Sequence, residues 1–183
     1  MKSFTLVEIL IVIVTLFLVV GVIYAGYILS QRAYEEGEIS AELTQNARVI
    51  LERMTREIRQ AREIVTELPV SMADALNHIE FEDGHSAERY HYIHYFQEDG
   101  ELKREVKAYY FVGNEGTFVP WNAVPPLGGE IAEAVIEEAK TVGEFIVDLK
   151  LWTSEIRMID IFIALEEGKK QANLLTSIFG RNL

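Results

Sequence analysis

The sequence predicts an α+β protein in which one long N-terminal helix packs on an antiparallel β-sheet, and three observations lead there. Residues 4–29 form an apolar run holding a single charged side chain, Glu8. Apolar residues then recur at three- and four-residue spacings as far as Leu68. After Pro69 the period falls to two, with Asp-Gly pairs set between aromatic runs.

The first element is the apolar run FTLVEILIVIVTLFLVVGVIYAGYIL. At about 1.5 Å per helical residue it reaches roughly 39 Å, more than a hydrocarbon core of about 30 Å. A secretory signal peptide has a shorter apolar region, about 7 to 15 residues, ending in a small-x-small site. The run therefore reads as a transmembrane helix. Lys2 precedes it, whereas Gln31 to Glu42 carries Arg32 against Glu35, Glu36, Glu38 and Glu42. The positive-inside rule places the N-terminus in the cytoplasm and the C-terminal part outside it.

The second element continues the first. Ile39, Leu43, Ala47, Ile50, Leu51, Met54, Ile58, Ala61, Val65 and Leu68 line one face of a helix that Pro69 ends. The other face pairs opposite charges four residues apart: Glu52 with Arg56, Arg53 with Glu57, and Arg59 with Glu63. Residues 4 to about 68 read as one helix, or two nearly collinear ones.

The remaining elements are strands. His78 to Glu82 precedes Asp83-Gly84, Arg89 to Phe96 precedes Asp99-Gly100, and Leu102 to Val112 follows. Val119 to Gly129, rich in proline, reads as a loop, and Glu130 to Ala139 as locally helical. Strands are expected at Phe145 to Trp152 and Ile156 to Leu165, then a turn at Glu166 to Lys169 and a last strand near Asn173 to Phe179.

Composition narrows the function. The chain has 183 residues, enough for one compact domain and one further element. Lys2 and Glu8 cancel, so the net charge of −12 lies on residues 30–183 and repels nucleic acid phosphates. Cysteine is absent, which excludes a disulfide framework, a thiolate metal site and a lipoprotein attachment residue.

The N-terminus carries a resemblance. A basic stub and Ser3 precede Phe4-Thr5-Leu6-Val7-Glu8, which opens the apolar helix. This resembles the class III signal peptide of type IV pilins and pseudopilins. The resemblance implies a pilin fold, cleavage by a prepilin peptidase between Ser3 and Phe4, and N-methylation of Phe4. The family usually has Gly before the cut, where this chain has Ser3. It further implies that Glu8, with Thr5, Leu6 and Val7, serves subunit assembly, the glutamate pairing with the N-terminal amine of a neighbouring subunit. An ionised carboxylate in a membrane segment is costly unless something compensates it. The alternative for Glu8 is snorkelling to the headgroups.

The implied organisation is a leader at 1–3, an assembly helix at 4–29, its extracytoplasmic continuation at 30–68 and a sheet domain at 69–183. The segment QNARVILERMTREIRQAREI at 45–64, the aromatic hairpin region and the closing Gly180-Arg181-Asn182 are similar to J-type minor pseudopilins of type II secretion and W-type minor pilins. Implied partners are other pilin-like subunits, the prepilin peptidase, an inner-membrane assembly platform and the lipid bilayer.

Other constellations point to packing. His91 and His94 are three apart and face opposite sides of a strand, which disfavours a chelate, and His78 and His85 have no companions at ligand spacing. Glu80, Glu82 and Asp83, and Glu98, Asp99 and Glu101, form no EF-hand loop. Tyr90, Tyr92, His94 and Phe96 alternate with His91, Ile93 and Tyr95, as a half-buried sheet requires. No nucleophile elbow, phosphate loop or zinc motif occurs, so neither enzymatic activity nor a cofactor is expected. The leading expectation is a minor pilin or pseudopilin that primes or caps a filament. The alternative is a single-pass membrane anchor presenting an extracytoplasmic binding or sensor domain.

Overall fold

The computed structural model describes residues 5–84, 90–114, 116–125, 131–155 and 158–180. It divides into two units, Met1–Ala41 and Glu42–Leu183. One helix, α1 (Leu6–Gln60), makes up nearly all of the described first unit and continues into the second.

In the second unit the buried residues of α1 are Leu43, Ala47, Ile50, Leu51, Met54 and Ile58, the stripe the spacing predicts. The helix ends at Gln60, short of the expected Leu68. Residues 62–66 instead run extended beside strand β1 (His78–Glu82). Arg62 N–H donates to Glu82 O at 3.0 Å, Val65 N–H to Glu80 O at 2.8 Å, and Glu82 N–H to Glu63 O at 2.8 Å. Val65 and Leu68 fit the helical period by spacing alone. The exposed edge of β1 offers backbone partners that one more helical turn would forgo. The expected Arg59–Glu63 pair is lost with that turn, and of the three expected pairs only Arg53–Glu57 forms, at 3.4 Å.

The first sheet contains β1, β2 (Tyr92–Glu98), β3 (Glu101–Tyr110), β4 (Phe118–Val119) and β5 (Glu133–Gly143), all antiparallel. β2 and β5 flank β3 on opposite edges, since Leu102 to Lys107 pair with both. Asp99 and Gly100 both take positive φ, 52° and 79°, in the tight turn joining β2 to β3 that Asp-Gly predicts. β1 and β2 pair from His78↔Phe96 to Glu82↔Tyr92, and the turn between them lies outside the described residues.

The helical expectation for Glu130 to Ala139 is corrected, because Glu133 to Ala139 lie in β5, while Glu130 lies outside the described residues. Its Glu and Ala content favours a helix locally, but the free edge of β3 accepts a strand along its whole length, with two register shifts. Tertiary pairing outweighs a propensity of a few tenths of a kcal/mol per residue.

The second sheet has order β6 (Ile146–Glu155), β7 (Met158–Glu167), β8 (Lys170–Phe179), antiparallel throughout. Gly168, at φ 63°, makes the turn before β8. Leu76 exchanges two backbone hydrogen bonds with Leu151 of β6, and Ile146 N–H donates to Gly100 O, tying the sheets together. Ile79, Phe81, Ile93, Tyr95 and Leu102 of the first sheet are buried, as are Leu149, Leu151, Ile161 and Ile163 of the second. Burying such a side chain contributes about 1.5 to 3 kcal/mol. The fold is thus α+β.

Candidate assembly segment

The first unit begins with a helix cap. Thr5 precedes α1, and its carbonyl accepts from Ile9 N–H at 3.3 Å. Glu8 Oε2 accepts from Thr5 N–H at 2.8 Å and from Thr5 Oγ1–H at 3.0 Å, while Glu8 N–H donates to Thr5 Oγ1 at 3.3 Å. This is a capping box, in which each side chain satisfies the other residue's free amide. The pattern Thr-x-x-Glu is the sequence signature of this box.

Beyond the cap the helix is apolar and exposed. Leu6 is 79% and Phe17 72% exposed, and no residue of the most apolar stretch is buried. Thr15, the polar side chain in mid-run, returns its hydroxyl to Ile11 O at 2.7 Å and Val12 O at 3.0 Å. Neither threonine nor glutamate therefore leaves a donor unmatched within its own helix. The helix is long and apolar enough to cross a membrane. Of the residues expected to act in assembly, Thr5 caps the helix and Leu6, Val7 and Glu8 lie on its first turn, whereas Ser3 and Phe4, the expected cleavage pair, lie outside the described residues.

In the second unit the ionisable side chains hold one another. Glu57 of α1 accepts from Tyr95 Oη at 2.8 Å and from Arg104 Nε at 2.9 Å, and Arg104 also reaches Glu138 at 3.3 Å. Burial, then the Glu57 carboxylate, pushes the Tyr95 hydroxyl pKa far up. On the sheet face turned away from the helix, Glu80 accepts from Tyr109 Oη at 2.7 Å and pairs with Lys107 at 3.4 Å. Lys107 Nζ lies 2.9 Å from His94 Nδ1. Burial and then the Lys107 ammonium hold His94 below its ordinary pKa, so the ring is a neutral acceptor there.

His91 and His94 do point apart, His91 Nε2 lying 3.0 Å from Glu137 and His94 beside Glu105 and Lys107. Glu82 is buried against Arg62 at 3.1 Å, Glu98 pairs with Lys103, and Glu101 accepts from Thr141 Oγ1 at 2.9 Å. Each of these acidic clusters thus has a partner within the fold, and His85 lies outside the described residues. Among the described residues no group of three or more metal-ligating side chains converges. Compared with protein-family models, with curated proteins and with solved structures, the chain matches none.

Proposed function

We propose that this chain is a minor pilin or pseudopilin, a structural subunit of pilin fold that primes or caps a type IV pilus-like filament or a type II secretion pseudopilus. The observation that carries the reading is the placement of Glu8. It lies on the first turn of a helix that runs unbroken from Leu6 to Gln60, and no other charge follows until Arg32. A prepilin peptidase cuts after Ser3 and methylates Phe4, and the helix leaves the bilayer for a bundle of like helices. That transfer gains little hydrophobic energy, so packing and neutralisation of Glu8 supply the drive. The subunit catalyses nothing itself and carries no cofactor. It waits in the inner membrane with its N-terminus in the cytoplasm and its sheet domain in the periplasm or outside the cell.

The capping box favours a second reading, a plain single-pass anchor bearing a binding or sensor domain. In that reading Glu8 has done its work once Thr5 is satisfied. Intact mass and N-terminal sequencing of the protein taken from its own membrane separate the two. A chain beginning at methylated Phe4 supports the pilin reading, and one beginning at Met1 replaces it with the anchor.

A further inference from the structure

Among the described residues the second unit leaves two long strand edges open, and they differ in charge. β8 pairs with β7 alone among the described strands, and β5 pairs with β3 alone. An open edge presents a row of unpaired N–H and C=O groups, which proteins ordinarily protect with charge, proline or a bulge. β8 has none of these devices from Gln171 to Phe179, a stretch without charge or proline in which Leu175 is 62% and Phe179 60% exposed.

The β8 edge borders a groove of about 500 Å³ along α1, lined among others by Arg48, Leu51, Arg56, Arg59, Leu174 and Leu175. The three arginines hold no ion pair among the described residues, in a chain whose net charge is −12. Such a groove suits an extended, acidic strand. β5 offers such a strand at its start: Glu133 holds no ion pair among the described residues and Val135 and Ile136 beside it are exposed, whereas His91 holds Glu137, and Arg104 and Lys140 hold Glu138. β5 spans 11 residues and β8 spans 10, so the edges match in length.

The two edges also lie on opposite flanks of α1. The end of β5 borders Asn46 and Ile50, and β8 borders Leu51 and Thr55. Asn46 and Thr55 point roughly half a turn apart on a helix of 3.6 residues per turn.

We infer that copies of this chain associate head to tail, the β5 edge of one copy adding as a strand to the β8 edge of the next, its Glu133 facing the arginines of the groove. Donor and acceptor are different surfaces, so the contact is heterologous and propagates rather than closing on itself as a two-fold dimer does. It uses only residues of the second unit and stands whether or not the chain is a filament subunit.

The chain has no cysteine, so engineered thiols report without background. Ala139→Cys and Leu175→Cys place thiols near the centres of the two strands, where they meet in either strand direction. Two differently tagged full-length chains, one with each substitution, are co-expressed, solubilised in mild detergent and treated with a short bismaleimide. The mixed pair is expected to cross-link in clear excess over either chain with itself. Arg56→Glu with Arg59→Glu in the Leu175→Cys chain should lower that yield about tenfold, and Glu133→Arg in the opposing chain should restore part of it. The yield should persist in a Glu8→Ala background. Equal self-pairing, a yield indifferent to charge reversal, or a contact that vanishes with Glu8 would each overturn the inference.

Discussion

Glu57, on the last turn of α1, accepts a hydrogen bond from the Tyr95 hydroxyl of β2 at 2.8 Å, and the same oxygen takes Arg104 Nε of β3 at 2.9 Å. One carboxylate thus fixes the helix to two adjacent strands. Tyr95 is fully buried and the Arg104 side chain only 10% exposed, so the three groups depend on one another.

Tyr95→Phe removes one hydrogen bond and leaves the ion pair, which should cost about 1 kcal/mol. Glu57→Leu strands Arg104 with Glu138 alone and should cost about 3 kcal/mol. Urea unfolding of the detergent-held protein, followed by Trp121 and Trp152 fluorescence, gives both values. Equal, small losses would show that the carboxylate does not hold the helix to the sheet.

Stability should fall toward acid because of His94, whose neighbours are Glu80, Glu105, Lys107 and His78. Its folded pKa is depressed, so below the unfolded value of about 6.5 the unfolded chain binds the extra proton and unfolding gains. The loss should develop as pH drops through that value, and His94→Asn, which keeps an acceptor near Nδ1, should flatten it. Toward alkali, Tyr95 and Tyr109 have raised pKa values, and their contribution is present below pH about 10 and lost above it. A wild-type profile parallel to that of His94→Asn between pH 5 and 7 would refute the acid arm.

Gly84 is required by contact. A Cβ there would lie 2.1 Å from Gln60 O, backbone against backbone at the end of α1. Gly84→Ala should destabilise by about 1 to 3 kcal/mol, whereas Gly116→Ala, with nothing within 4 Å of the added carbon, should change stability by under about 0.5 kcal/mol. Thermal unfolding of the two variants side by side tests the difference.

Thr5 and Glu8 separate a cap from a charge. Gln at the Glu8 position can still close the box but cannot neutralise an amine. If the charge drives assembly, Glu8→Gln and Glu8→Ala should insert normally yet enter filaments poorly, while Thr5→Ala assembles, losing only about 1 kcal/mol of helix end stability. Membrane fractionation and sheared-filament yield read the two steps. Normal incorporation of Glu8→Gln would leave the cap as the role of Glu8.

Much of the layout was legible. The buried stripe from Leu43 to Ile58, the Asp99-Gly100 turn and the strands of the second sheet follow from spacing and turn chemistry, because each depends on residues close in sequence. The capping box is legible too, as Thr-x-x-Glu, although the charge of Glu8 in an apolar run points equally to an intermolecular partner. Residues 62–66 and 133–139 depart from the helical expectation because both carry helical spacing or composition while open edges of β1 and β3 claim them.

By itself the sequence determined the long apolar helix, its period-3.6 continuation and the change to period 2 after Pro69, since these are one-dimensional patterns fixed by which face must leave water. Only the tertiary structure decided where α1 stops, which segments complete the first sheet, and that Glu57, Tyr95 and Arg104 meet. Those outcomes turn on backbone groups and charges far apart in the chain. Their hydrogen-bond partners exist only once the strands have assembled.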